Sequence, residues 1–324
     1  MKTIIELLKG KNIPHTPIWF MRQAGRYLKS YRKMREKYTF LEMCETPQLS
    51  AEVTLQPVKE LNVDAAIIFS DILLPLRAMG LKVCFTEKGP FVFGDEIRSI
   101  DTEKMLFTSE IMYILKKELT DKTLIGFCGA PFTLMSYIIG QGKPDENHTK
   151  HLMYNQKEKF KNRLDIIADS MIEYLKLQVE SGADMLQIFD TQASILSPSD
   201  WKEFALPFVK KLIIPFKGKI PIAYYVNGMS GILNIVEETG ADILSIDWRI
   251  DIKDCGNLKI IQGNLDPAVL LAGRDTIAEK AVYIMKAMRQ KRHIFNLGGG
   301  ILPQTDENKA KFLVEVVHEW KKEP

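Results

Sequence analysis

Short apolar runs recur along this chain every few tens of residues, at 18–21, 65–69, 124–127, 185–189, 221–226, 243–246, 259–262 and 293–297, and that recurrence restricts the fold more than any other feature. Most of these runs are continuous rather than alternating, as parallel strands covered on both faces are. The segments between them carry helical spacing. In 158–182 the apolar positions are Leu164, Ile167, Met171, Ile172, Leu175 and Val179, and a second helical segment, 231–238, is closed by Gly240, a common stop residue. Strands alternating with helices about eight times predict an α/β protein, a single-domain (β/α)8 TIM barrel. A doubly wound sheet is the alternative, but it would carry fewer strands and a glycine fingerprint near its first turn.

A chain of 324 residues suits one large domain or two ordinary ones. No Pro-, Gly- or Ser-rich linker divides it, so residues 1–324 are read as one barrel domain. Residues 72–110 are too long for a simple crossover, and Gly80, Gly89-Pro90 and Gly94 predict a hairpin or extra loop of the kind that decorates a barrel mouth. A hydrophobic content of 46% and a charged content of 26% are those of a globular enzyme. Forty-four Lys and Arg against 41 Asp and Glu leave a net charge of only +3, which gives no basic face for nucleic acid. No run approaches the roughly 20 apolar residues of a membrane helix, and residues 1–10 are too short and too charged for a signal peptide. The expected location is cytoplasmic, with no nucleic-acid or membrane partner. Cys44, Cys84, Cys128 and Cys255 lie far apart, without metal-ligand spacing, and read as reduced thiols.

The polar residues fall at the carboxyl ends of the predicted strands. Arg22 follows the first, Asp71 the second, Tyr137 lies beyond the third, and Thr191, Asn227, Asp247, Asn264 and Gly298-Gly299-Gly300 follow the rest. Barrel enzymes build their sites on that face, so one cleft can hold them all. The first strand stops at Arg22-Gln23-Ala24-Gly25-Arg26, with Arg32 and Arg35 close behind. Gly25 is read as permitting a tight turn. Guanidinium groups on such a turn bind carboxylates or phosphates two bonds at a time, which points to a poly-anionic substrate. Each residue also has a plainer reading. Arg22, Arg26 and Arg35 could be surface charges, Asp71 a helix cap, and Tyr137 a core residue beside Leu134, Ile138 and Ile139.

The segment from Pro17 to Arg35 resembles the signature of the uroporphyrinogen decarboxylase family. Five further blocks resemble that family in the same order: Ile67-Ile68-Phe69-Ser70-Asp71-Ile72-Leu73, the Gly126–Tyr137 segment, Gln187-Ile188-Phe189-Asp190-Thr191, Ile246-Asp247-Trp248-Arg249, and Gln262-Gly263-Asn264-Leu265-Asp266-Pro267. The resemblance implies cofactor-independent removal of the acetate carboxyls of uroporphyrinogen III to give coproporphyrinogen III. It implies catalysis by Asp71, Arg22 and Arg26, with Gln23, Ala24, Gly25, Arg35, Tyr137 and Thr191 also lining the substrate site. It further implies a homodimer, and no metal. Several positions depart from the family pattern. Lys29 stands where proline is expected, Gln192 and Ser194 follow Thr191, and Gly299 replaces a histidine of the cleft. The last departure predicts weakened binding or slower turnover. Three rivals follow: a corrinoid-linked methyltransferase, which would want a His/Cys zinc site; a non-enzymatic tetrapyrrole-binding homologue; and a phosphate-binding barrel using Gly298–Gly300 as an anion cradle.

Overall fold

The computed structural model describes residues 1–94, 96–255 and 258–320. Its strands are β1 (Ala65–Ile67), β2 (Lys82–Thr86), β3 (Gly89–Phe93), β4 (Thr123–Gly129), β5 (Met185–Asp190), β6 (Ile222–Val226), β7 (Ile243–Ser245), β8 (Ile260–Leu265) and β9 (Arg292–Leu297). Seven of them form one parallel sheet in the order β1-β4-β5-β6-β7-β8-β9. Helices or short 3₁₀ turns connect successive strands of the sheet, among them the helices Lys157–Glu180 and Arg274–Ala287, and a further helix, Glu307–Glu319, follows β9. The curled sheet with its helical jacket is a TIM-barrel-like α/β fold in one domain, as the alternation of apolar runs predicts.

The first predicted strand, 18–21, pairs at only one residue. Ile18 forms a single parallel bridge with Phe295 of β9. On its other side its carbonyl accepts from Asp64 N–H at 2.8 Å, just before β1, and its N–H donates to Asp64 Oδ2 at 2.8 Å. The ring therefore closes through one extended residue held from both sides. The run cannot continue as a strand because Gln23, 1% exposed, folds back beneath it. Gln23 Oε1 accepts from Phe20 N–H and its amide donates to Ala65 O.

The barrel interior holds a dry polar network as well as aliphatic layers. Trp19 Nε1 donates to Gln262 Oε1 at 2.9 Å, Gln262 Nε2 donates to Gln187 Oε1 at 2.9 Å and also to Ser245 Oγ, and all four residues are fully buried. Satisfying buried amides this way fixes the mutual register of the strands at low cost, whereas one missing partner would leave an unpaired polar group.

β2 and β3 form an antiparallel hairpin inside the 72–110 segment. The 231–238 segment differs from its prediction. It forms two short 3₁₀ turns, Met229–Ile232 and Val236–Thr239, rather than a helix. Its buried residues, Met229, Ile232, Val236 and Thr239, still face inward at helical spacing, and Gly240 stops it with φ +79°. So short a segment makes too few hydrogen bonds to hold a full α-helix.

Candidate active site

The arginine-rich turn is built by a left-handed residue, and that residue is Arg22 itself, with φ +61°. Few non-glycine residues accept this conformation, and those that do cluster at functional sites. Gly25 contributes space rather than handedness, because a Cβ there would lie 3.1 Å from Arg22 O. The turn is secured from below by Tyr27, whose hydroxyl donates to Gln23 O at 2.6 Å. Arg32 secures it from the side, with its guanidinium donating to Arg26 O and Tyr27 O. Arg22 and Arg26 are exposed, and neither guanidinium makes a hydrogen bond or ion pair among the described residues. Gln23 faces the interior, Ala24 and Gly25 are half-buried, and Arg35 donates to Tyr38 O at 2.6 Å at the end of its helix. Lys29 occupies the first position of the helix Lys29–Arg35, where proline is welcome. Its N–H donates to Glu307 Oε2 at 2.7 Å, a bond that proline could not make.

Asp71 follows β1 and satisfies both of its readings. Its Oδ1 accepts from Leu73 N–H at 2.8 Å, which caps the turn into the helix Leu74–Ala78. Its Oδ2 accepts no hydrogen bond among the described residues. Asp71 is half-buried by area, and the surrounding protein strips hydration from its carboxyl. That desolvation raises its pKa, against the lowering effects of Leu73 N–H and Arg22. Tyr137, on the helix Pro131–Ile139, is half-buried. Its hydroxyl is raised first by burial and then by the negative charge of Asp71, with Arg22 acting in the opposite sense. Arg22, Asp71 and Tyr137 are therefore electrostatic neighbours. Thr191 is half-buried just past β5, and its hydroxyl makes no hydrogen bond among the described residues. Beneath it the fully buried Asp190 accepts from Thr133 Oγ1 at 2.6 Å and Tyr224 Oη at 2.7 Å, and burial pushes its carboxyl up to about 6.

Sequence reasoning missed Tyr225, hidden within an apolar run. Its hydroxyl donates to Gly298 O at 3.0 Å, its pKa is raised by burial and by Asp247, and both Arg249 and Arg22 oppose that shift. The Gly298–Gly300 loop is closely packed on both flanks. A Cβ at Gly298 would come 2.3 Å from Trp248 N, and one at Gly300 would come 2.8 Å from Arg22 Cδ. An open depression of about 600 Å³ beside Gly140, Lys143, Asp145 and His148 contains none of the residues gathered around Asp71.

One His/Asp cluster exists among the described residues: His15, Asp64 and His318. It lies at the amino-terminal end of β1, the opposite end of the barrel from Asp71. Both imidazole Nε2 atoms are within hydrogen-bonding distance of the Asp64 carboxylate, at 3.0 and 2.8 Å.

The fold and these residues define a barrel enzyme in which a desolvated carboxylate, Asp71 after β1, is acted on by the unengaged guanidinium of Arg22. The uroporphyrinogen decarboxylase (URO-D) family profile matches residues 1–320. A uroporphyrinogen decarboxylase of Thermodesulfovibrio yellowstonii is 44% identical, the match covering 99% of this chain and 98% of that protein. One of Carboxydothermus hydrogenoformans is 42% identical, covering 98% and 96%. This chain belongs to the uroporphyrinogen decarboxylase family. Among solved structures, a methyltransferase from Methanosarcina mazei superposes with a TM-score of 0.82, covering 98% of each chain. At 20% identity that likeness concerns the fold alone.

Proposed function

We propose that this protein decarboxylates the four acetate side chains of uroporphyrinogen III, giving coproporphyrinogen III and four CO2. Membership of the family over 1–320 supplies the reaction class, a carboxy-lyase. The observation that carries the reading to this chain's own residues is Asp71, a desolvated carboxylate with one oxygen engaged by Leu73 and the other open, under the influence of Arg22. The methyltransferase alternative is not favoured, since its support is a likeness of fold.

In the proposed chemistry an acid protonates the pyrrole carbon beside an acetate-bearing carbon, and the ring becomes cationic. The bond between the acetate methylene and its carboxylate breaks, CO2 leaves, and the electron pair neutralises the ring. A second proton is added to the methylene carbon to complete the methyl, and the first departs as aromaticity returns. The net change for each acetate is one proton consumed and one CO2 released. The protonated pyrrole is the electron sink, so the proposal uses no cofactor. Asp71 faces the cation, and the low local dielectric strengthens that interaction. Arg22 and Arg26 hold substrate carboxylates through their planar forks, Tyr137 and Thr191 offer hydroxyls to the substrate, and Gln23, Ala24, Gly25 and Arg35 shape and support the turn. Arginine is a poor acid at its ordinary pKa, so proton delivery by Arg22 would need a special environment or a substrate carboxyl as relay.

Anaerobic incubation with uroporphyrinogen III, followed by chromatography of the products by carboxyl number, tests this. A tetracarboxylate product is expected. An unchanged octacarboxylate overturns the reading. We further propose a cytoplasmic homodimer. The four unpaired cysteines suit a reducing compartment, and twofold dimers are the commonest symmetric assembly. A monomeric mass by light scattering, with full activity at the same concentration, would refute the dimer.

A further inference from the structure

We propose that Trp248 and Arg249 form a second carboxylate-binding shelf on the cleft rim, which holds a side chain of the substrate that survives the reaction. The proposal rests on the decarboxylase reading. It starts from an arginine mounted far more firmly than a surface charge. The Arg249 guanidinium lies over the Trp248 ring, 4.1 Å from its centroid. Nη1 donates to Asn227 Oδ1 at 2.9 Å and sits 3.4 Å from Asp247 Oδ2. The other guanidinium donors, Nε and Nη2, make no hydrogen bond among the described residues, and the side chain is 48% exposed. Stacking and a single anchored nitrogen fix the plane of the fork and leave its other edge open, which removes much of the ordering cost of binding a carboxylate.

The backbone under this pair is clamped on both sides. Asp247, fully buried, accepts from Gly228 N–H, Met229 N–H and Arg249 N–H. Asn264 Nδ2 donates to Asp247 O at 3.0 Å and to Ile250 O at 2.8 Å, the carbonyls bracketing Trp248-Arg249. Because the Asp247 charge is shared among three backbone donors, Arg249 is only partly neutralised. The shelf adjoins the known cleft through the glycine loop. A Cβ at Gly299 would lie 3.0 Å from the Trp248 ring, its neighbour Gly300 abuts Arg22, and both Arg22 and Arg249 act on the Tyr225 hydroxyl. Along that path Trp248, Gly299 and Gly300 stand between Arg249 and Arg22, so the open edge of the Arg249 fork is placed to grip a carboxylate that is not being removed. On uroporphyrinogen those are the propionates, which the product retains.

The test is Arg249→Gln, compared with the wild type for anaerobic turnover of uroporphyrinogen and for equilibrium binding of coproporphyrinogen. We expect KM to rise roughly fivefold or more and product affinity to fall by a similar factor, as for loss of one preorganised, partly exposed charge-assisted pair. Saturated kcat and the thermal midpoint without ligand should stay close to wild type, and Arg249→Lys should recover only part of the loss. Unchanged KM and unchanged product affinity in an active protein overturn the shelf and leave the decarboxylase reading intact. A raised KM with unchanged product affinity also overturns it, since the carboxylate held would then be an acetate. A fallen thermal midpoint matching the kinetic loss would assign Arg249 to tying Asn227 and Asp247 together, and overturns it too. A wild type that neither turns over uroporphyrinogen nor binds coproporphyrinogen would instead remove the reading on which the shelf rests.

Discussion

At the scale of single residues, function and stability pull Asp71 in opposite directions. Burial disfavours its charge, while the proposed chemistry requires it. A carboxyl whose folded pKa is raised adds stability below its unfolded pKa and loses that contribution as pH rises through the folded value. Ionising Asp71 is thus a cost to the fold. Asp71→Asn keeps an oxygen to accept from Leu73 N–H and removes the charge. Turnover should fall by about 100-fold or more, while the thermal midpoint at pH 7 should hold or rise. Near wild-type turnover would leave Asp71 with only its capping role. The same raised pKa predicts that kcat/KM falls on the acid side at a higher pH than an ordinary carboxylate would give. This residue was legible in the sequence as two alternatives, a cap and a cleft carboxylate. The sequence could not show that separate oxygens of one side chain serve the two purposes.

At the scale of elements, the loop after β9 shows what sequence reading reached and what it did not. Its position at a strand end was legible, as was the anomaly of three consecutive glycines. The reasons for them are distances, and no local pattern encodes distances. Gly298 faces backbone, with a Cβ falling 2.3 Å from Trp248 N, whereas Gly300 faces only the flexible end of Arg22 at 2.8 Å. The two alanine variants should therefore separate cleanly. Gly298→Ala must move the clamped Trp248 segment and should destabilise by about 3 kcal/mol or more, read by denaturant unfolding. Gly300→Ala should unfold almost as the wild type does, yet displace Arg22 and raise KM severalfold. If both lose only stability, Arg22 is not positioned by this loop. The 18–21 run failed as a strand for a related reason. Its apolar pattern predicts burial, and burial is found, with Ile18, Trp19 and Phe20 all 0% exposed. The ladder stops at one bridge because Gln23 Oε1 accepts from Phe20 N–H, a backbone donor that a strand would use.

At the scale of the whole molecule, the barrel is closed at its amino-terminal end by one carboxylate that ties both ends of the chain to β1. Asp64, 3% exposed, is within hydrogen-bonding distance of His15 Nε2 at 3.0 Å and His318 Nε2 at 2.8 Å, accepts from Ile18 N–H at 2.8 Å, and has Lys122 Nζ at 3.8 Å. The rings of His15 and His318 lie 4.0 Å apart, so the N-terminal segment meets the helix Glu307–Glu319 on this one side chain. Nothing in the sequence joined these residues, because 254 positions separate His318 from Asp64. Burial alone would raise the Asp64 carboxyl, but the hydrogen bonds and the His318 charge outweigh it and hold the carboxyl well below the usual range. A depressed folded pKa stabilises the fold at every pH above the ordinary carboxylate value of about 4, and that contribution is lost progressively as pH falls below it. An amide at this position has a single acceptor oxygen for donors that now share two. Asp64→Asn should therefore lower unfolding free energy at pH 7 by about 2 kcal/mol, with turnover per folded molecule little changed because Asp71 lies at the other end of the barrel. Below about pH 4 the deficit should shrink, because the Asp64 carboxylate of the unfolded wild-type chain takes up its proton before that of the folded one. Denaturant unfolding of both proteins across that range checks the sign, and a deficit that widens toward acid would show that the closure depends on something other than the Asp64 charge.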